Sequence, residues 1–394
     1  HKDQPDLNWQ NPILREEIYK MINWWLDKGI AGFRIDAIIN IKKDLEWRSL
    51  PSDRDNGLVP VPESLVNAQP IEPFLRELKE RTFAKYNAFT VGEVFNETDE
   101  ELHFFIGKDG VFSSIFDFKQ TMLGQEGKGW FDHSLPTADE LKESIFQAHE
   151  RADCIGLLST IIENHDEPRG VSHYIAEGPV NDTSKKALGT IQILRKGIPF
   201  IYQGQEIGME NQVFESVEDF DDIATINGYH VAKEAGLSEE EALAAIAKYS
   251  RDNARTPMQW SAEPGLGFSD GTAWLISPKP NVAINVEDQE KDPNSILNYY
   301  RQLTALYRHP LYGNTIRFGD MIPAYRDREN IIAFERRGDK RLLVVSNFQN
   351  RQATLELPAP IKTVVLNNTA GLFQEGDQVL ELTPYQTVVL ELAE

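Results

Sequence analysis

The residues best placed to do chemistry are three acids. Asp36 stands at the end of the run AGFRIDAII, Glu93 at the end of AFTVGEV, and Asp166 closes a third run, LLSTIIEN with its Asn164-His165-Asp166 tail. Each run reads as a short strand ending in or near its acid. In a parallel barrel the C-terminal strand ends converge on one face, where active sites sit. Three carboxylates sharing one pocket push their pKa values apart. One acid then keeps its proton while another stays ionised, which is the pair of states that cleavage of a glycosidic bond requires. Arg34 lies on the same strand face as Asp36, two residues earlier, and would hold it ionised. A buried strand arginine needs such a partner in any case, because an unpaired charge there costs several kcal/mol. Taken singly, each residue has a plainer explanation. A strand-end Asp is usually a cap or turn residue, Glu93 would be a solvated loop carboxylate, and His165 a hydrogen-bonded core histidine. Five such residues at or beside strand ends are poorly explained that way.

The elements that position these residues follow a regular rhythm. Residues 12–28 carry apolar side chains at Ile13, Leu14, Ile18, Met21, Ile22, Trp25 and Leu26, a helical spacing. Asn11 caps this helix, Pro12 fills its first turn and Gly29 ends it. Helices near 71–86, 98–106, 138–150 and 183–196 are each followed by a strand, at 88–94, 113–118, 157–164 and 199–204. Alternating strands and helices predict a parallel sheet with crossovers. The five strands end in or near Asp36, Glu93, Asp117, the Asn164–Asp166 run and Gln203. Residues 206–260 break the rhythm with a helical insertion, LSEEEALAAIAKYS, and the loop SRDNARTPMQW. Long loops late in a barrel are more often functional than idle. A last helix spans about 293–308. From 316 onward only short alternating strands remain, which predicts an antiparallel sandwich. The division expected is a catalytic domain over 1–312 and an all-β domain over 313–394.

Composition narrows the function classes. The chain has 394 residues, 41% hydrophobic and 26% charged. That is globular composition and excludes disorder or a disulfide scaffold as the main body. No apolar run approaches the length of a bilayer span. The net charge of −22 repels phosphate backbones, so neither nucleic acid nor an anionic membrane is an expected partner. A neutral small oligosaccharide fits better. Cys154 is the one cysteine, which suits a reducing compartment; with no signal peptide in view, a cytoplasmic location is expected. No zinc pattern is present, and the eight histidines are scattered singly.

These motifs resemble a known family. GFRIDAIIN at 32–40, FTVGEV at 89–94 and IIENHDEPR at 161–169 resemble the nucleophile, acid/base and third-carboxylate motifs of the α-amylase superfamily, glycoside hydrolase family 13. QPDLNWQNP, YQGQEIGM, SRDNARTPMQW and DPNSILNYYRQL are similar to its oligo-1,6-glucosidase and α-glucosidase subgroup. The resemblance covers nearly the whole chain. It implies an α/β (β/α)8 TIM barrel, here from about the fourth strand onward, followed by a C-terminal antiparallel β-sandwich.

It also implies a retaining exo-acting α-glucosidase on short α-glucosides, with no cofactor. Asp36 would be the nucleophile, Glu93 the acid and then the base, and Asp166 would hold sugar hydroxyls. Arg34 and His165 would line the same subsite. Arg251 would reach the non-reducing glucose, with Arg255 as its support. Retention calls for about 5–5.5 Å between the Asp36 and Glu93 carboxyls. Ala37, after the nucleophile, widens the next subsite and favours α-1,4 or mixed linkage over strict α-1,6 by roughly 1–3 kcal/mol.

The family's first conserved motif is not in the sequence. This leads to the expectation of a longer enzyme whose N-terminal segment is the partner of this chain and carries any calcium site, and of an inactive, unstable chain without it. Trp260, Phe268 and Trp274 are candidate sugar-stacking residues, with ordinary packing the plainer reading. The alternatives are a strict oligo-1,6-glucosidase, a trehalose-6-phosphate hydrolase, a sucrose- or trehalose-rearranging isomerase and, remotely, a non-catalytic transporter subunit or a starch-binding module.

Overall fold

The computed structural model describes residues 5–46, 48–52, 57–59, 63, 68, 70–95, 97–124, 132–275, 281–371 and 373–393. The chain divides into two units: His1–Phe116 with Arg151–Ser159, and Asp117–Glu150 with Thr160–Glu394. Among the described residues no helix is long and apolar enough to cross a membrane.

The first unit opens with helix α1 (Pro12–Asp27). Asn11 accepts a hydrogen bond from the Ile13 amide, and Pro12 occupies the first turn, where its missing N–H costs nothing. Gly29 follows with a φ of 93°, a left-handed value that a residue without Cβ adopts freely. α2 (Glu72–Arg81) lies against α1, and Arg15 and Arg81 reach Glu77 and Glu16 across the pair. The parallel strands β1 (Gly32–Ile35), β2 (Phe89–Gly92), β3 (Ser114–Phe116) and β4 (Leu157–Thr160) pair in chain order. Helix α3 (Asp99–Ile106) crosses from β2 to β3 and is started by a Thr98/Glu101 capping box. Two glycines permit the close approach of the strands. A Cβ on Gly32 would lie 1.9 Å from the Phe89 carbonyl oxygen, and one on Gly92 would lie 2.6 Å from the Phe112 ring.

The unit boundary falls inside β4, so Thr160 belongs to the second unit. There its carbonyl accepts from the Phe200 amide, next to β5 (Ile198–Pro199). β5 is shorter than the strand expected over 199–204. Pro199 has no N–H to donate, and the chain turns at Tyr202–Gln205, where Gly204 has a φ of 91°. β4 also stops earlier than expected. Asp166 therefore lies on the loop beyond β4 rather than at the strand end. Asp36 and Glu93, by contrast, directly follow β1 and β2.

The core of the second unit is built on α6 (Asp182–Leu194), whose residues from Ser184 onward are all buried. Before it come α4 (Ala138–Ala152), of which residues 138–150 lie in this unit, and the short α5 (Gly170–Tyr174). Leu188 and Ile191 of α6 belong to one core cluster with Leu303, Phe334 and Val344. The stretch expected to be a helical insertion contains α7 (Ile223–Glu234) and α8 (Glu239–Tyr249), the latter capped by Ser238 and Glu241. α9 (Ile296–Leu306) gives the Tyr299 hydroxyl to Thr190 of α6 at 2.8 Å.

Seven antiparallel strands follow: β6 (Asp320–Ala324), β7 (Ile331–Arg337), β8 (Arg341–Asn347), β9 (Ala353–Glu356), β10 (Ile361–Asn367), β11 (Val379–Leu382) and β12 (Thr387–Leu392). They form a five-stranded sheet, β10-β12-β8-β7-β6, and a two-stranded sheet, β11-β9. Leu343, Val345 and Val388 share a second core cluster with Leu355 and Leu380 from the smaller sheet. That is the sandwich packing the alternation requires. β6 was not expected, because Pro323 interrupts its alternation.

Candidate active site

In the first unit the turn after β1 carries Asp36 and Ala37. Arg34 Nη1 donates to Asp36 Oδ1, and Arg34 Nη2 reaches Glu93 Oε2 at 2.8 Å. One guanidinium thus ties both carboxylates, as an arginine fork does well. The two acids live in unequal surroundings. The Asp36 side chain is 73% exposed, whereas that of Glu93 is 8% exposed. Ala37 is left-handed, with φ 40° and ψ 36°, and its amide donates to Glu93 Oε2 at 2.7 Å. Burial pushes the Glu93 carboxyl up, and the Asp36 charge adds to this. Together they outweigh the Ala37 N–H and the Arg34 charge, which act downward. The result is an acid that holds its proton longer beside an open carboxylate.

In the second unit the loop after β4 carries His165 and Asp166. Asn164 Oδ1 accepts from the Asp166 amide at 2.7 Å, an Asx turn that sets the loop. Asp166 Oδ1 receives Arg251 Nη1 at 3.0 Å and Arg255 Nη2 at 2.8 Å, and Oδ2 lies 3.1 Å from His165 Nε2. Arg255 Nε also donates to the His165 carbonyl at 3.0 Å. His165 is half exposed and is not a core histidine. Arg251 and Arg255 therefore share one carboxylate. Arg251 is held in turn by Asp222, whose Oδ1 receives Nε at 2.8 Å while Oδ2 receives the Thr225 amide and hydroxyl. Against burial, which acts upward, these bonds keep the Asp222 carboxyl below its usual range.

A buried ion pair spans the same loop. The side chains of Glu163 and Arg169 are 0% and 1% exposed, and Arg169 Nη1 meets Glu163 Oε1 at 3.0 Å. Glu163 Oε2 accepts from the Gly170 amide at 2.6 Å, Arg169 Nη1 also donates to the Gln203 carbonyl, and the guanidinium sits over the Tyr202 ring. The five residues between Glu163 and Arg169 in sequence are thus pinned at both ends. Burial, and then the Asp166 charge, pushes the neighbouring Glu167 carboxyl up to about 7.

The sequence-predicted residues fall into two clusters, one in each unit. Arg34, Asp36, Ala37 and Glu93 touch one another in the first. His165, Asp166, Arg251 and Arg255 do so in the second. Asp222, Glu163 and Glu167 were missed. Glu163 and Arg169 bracket the Asn164–Asp166 motif and could have been found as an opposite-charge pair across it. Asp222, far from Asp166 in sequence, gave no such signal. Trp260, Phe268 and Trp274 are 50%, 57% and 68% exposed, so ordinary core packing does not describe them.

The chain matches the family model for the α-amylase catalytic domain over residues 1–311, and the model for the α-amylase SusG C-terminal domain over 331–389. It is 40% identical over 309 residues to a probable oligo-1,6-glucosidase 3 of Bacillus subtilis, spanning 77% of this chain and 54% of that protein. It is 37% identical over 394 residues to an oligo-1,6-glucosidase of Halalkalibacterium halodurans, spanning 98% of this chain and 70% of the relative. Among solved structures, an isomaltulose synthase from Klebsiella sp. LX3 superposes with a TM-score of 0.90 at 29% identity, over 100% of this chain and 71% of that one. The trehalose-6-phosphate hydrolase of Bacillus licheniformis gives 0.87 at 31% identity, over 99% and 70%. The parallel strands, the paired carboxylates that end two of them and these matches agree: the chain belongs to the α-amylase family, glycoside hydrolase family 13, in its oligo-1,6-glucosidase subgroup.

Proposed function

We propose that this chain carries the catalytic machinery of a retaining exo-acting α-glucosidase that hydrolyses short α-glucosides. The observation that carries the reading is the unequal carboxyl pair on one guanidinium: Glu93 buried and shifted toward its acid form, Asp36 open and paired. In the first half-reaction Asp36 attacks the anomeric carbon while Glu93 gives its proton to the departing glycosidic oxygen. The bond to the leaving sugar breaks and an ester to Asp36 forms. In the second, Glu93 takes a proton from water, the water oxygen bonds to the anomeric carbon, and Asp36 leaves as a carboxylate. Two inversions give net retention. By the family resemblance Asp166, His165, Arg251 and Arg255 would hold sugar hydroxyls. The reaction so written calls on two carboxyls and water, with no cofactor. The lone, exposed Cys154 supports a cytoplasmic location.

Ala37 supports α-1,4 or mixed linkage. A β-branched residue is strained at its left-handed φ, so a small side chain suits the position on backbone grounds as well. The test is side-by-side assay of maltose, isomaltose, sucrose and trehalose with this chain in its complete gene product, following product anomers by NMR. Retained anomers and glucose release are expected. Rearranged disaccharides in place of glucose would move the reading to an isomerase, and no turnover of any α-glucoside would end it. Asp36→Asn should remove turnover with the fold intact, and full activity in that variant would take Asp36 out of the nucleophile role.

A further inference from the structure

An exposed tryptophan is tied by its one polar atom to the network that ends on Asp166. Trp274 is 68% exposed, yet its indole Nε1 donates to Asp221 Oδ2 at 3.1 Å. The amides of Asp221 and Asp222 both donate to Oδ2 of the buried Asp252, at 2.9 Å each, which fixes that turn. Asp222 holds Arg251 Nε, and Arg251 holds Asp166. The links run unbroken from the indole to the candidate sugar-binding carboxylate, all within the second unit. An indole left free would turn its ring to bury apolar area. This one is held at its N–H edge with most of its surface open to solvent. Trp260, also exposed, makes no such side-chain bond among the described residues.

We propose that the Trp274 indole face is a stacking platform for a second sugar of the substrate, a pyranose linked to the one that Asp166 holds. The proposal rests on the glycosidase reading and extends it to a second sugar unit. An apolar ring face suits the C–H face of a neutral pyranose and makes no demand for charge, in keeping with a protein of net charge −22. Asp221, exposed beside the indole, leaves an acceptor for a hydroxyl of the same sugar.

The test compares a trisaccharide, maltotriose or isomaltotriose according to which the wild-type protein cleaves faster, with α-glucosyl fluoride, which has no second sugar, in the complete gene product. Trp274→Ala should lower the ratio of kcat/KM for the trisaccharide to that for the fluoride by roughly five- to tenfold, the scale of one aromatic contact, chiefly through KM. Trp274→Phe should recover most of that ratio because it keeps a ring face. Equal losses on both substrates, or an unchanged ratio with Trp274→Ala, would overturn the platform while leaving the glycosidase reading in place. If the wild-type protein turns over neither substrate, the glycosidase reading fails by itself. Calorimetric titration with the tighter-binding of the two trisaccharides then decides the platform: affinity lost in Trp274→Ala and kept in Trp274→Phe supports it, and equal affinity overturns it.

Discussion

Replacing Glu163 with Gln should be among the most damaging single changes in the second unit. Glu163 and Arg169 are both almost completely buried. Each carboxylate oxygen accepts one donor, Arg169 Nη1 at 3.0 Å and the Gly170 amide at 2.6 Å. A Gln side chain keeps one acceptor and turns an NH2 toward the other donor. Arg169 is then left with the Gln203 carbonyl, the Met209 sulfur and the Tyr202 ring, all uncharged, against a full buried charge. Breaking a buried pair from one side costs about 3–5 kcal/mol. Arginine cannot shed its proton, so its buried charge cannot be relieved by deprotonation.

Arg169→Met is the opposite case. It leaves Glu163 buried with the Gly170 amide, and burial already pushes that carboxyl up. Its folded pKa then lies well above the unfolded value of about 4.3, so the folded state takes up a proton that the unfolded state releases. Stability should therefore be retained at low pH and lost as pH rises beyond about 4.3. The assay is urea unfolding of the two single variants and the Glu163→Gln/Arg169→Met double variant at pH 5 and pH 8. The double variant should recover at least about 1 kcal/mol relative to the sum of the singles. A loss under about 1 kcal/mol for Glu163→Gln, or additive losses, would refute the argument that this pair is a buried clamp.

Three further outcomes follow from named contacts. Arg34 acts downward on Glu93, so Arg34→Met should move the alkaline limb of kcat/KM to higher pH while lowering the maximum; a limb that moves to lower pH would contradict the assignment of Glu93 as the acid. Glu167 titrates at about 7 in the fold against about 4.3 unfolded, so its ionisation opposes folding as pH rises through that window. Glu167→Gln should thus gain roughly 1–3 kcal/mol over wild type by pH 8 and little at pH 4, and parallel urea midpoints for the two proteins across pH would count against it. Gly32→Ala would place a methyl group 1.9 Å from the Phe89 carbonyl oxygen and should separate β1 from β2, seen as loss of amide protection at Phe89 and Val91 in hydrogen exchange; normal protection would show that the strands yield without cost.

The sequence exposes some of this architecture and hides the rest for physical reasons. α1 is legible because its cap, first-turn proline and terminal glycine are local, and each is satisfied within a few residues. β1 and β2 are legible through the alternation that leads into Asp36 and Glu93. The run at 199–204 misleads: Phe200, Ile201 and Tyr202 have strand character, but Pro199 cannot donate and the chain turns at Gly204. The acids are visible as residue types at run ends. Their surroundings are not, because the groups that set those surroundings come from elsewhere in the chain. Asp222 reaches Arg251, and Arg251 reaches Asp166, across sequence separations of 29 and 85. No periodicity reports such a bond.

Ala37 joins local backbone geometry to the proposed chemistry. Its left-handed φ of 40° aims its amide at Glu93 Oε2, 2.7 Å away. The side chain at this position would shape the next subsite, while its backbone helps to set the proton affinity of the acid. Both effects respond to one substitution. Ala37→Val places a β-branched side chain at a positive φ, at a strain of about 1–2 kcal/mol. Relief of that strain rotates the amide away from Glu93. The Ala37 amide acts downward on the Glu93 carboxyl, so losing it moves the acid further up. Ala37→Val should therefore raise the ratio of α-1,6 to α-1,4 turnover and, in the same protein, shift the alkaline limb of kcat/KM to higher pH. A changed linkage ratio with an unmoved limb would show that the side chain acts alone and that the backbone bond to Glu93 plays no part in the choice of linkage.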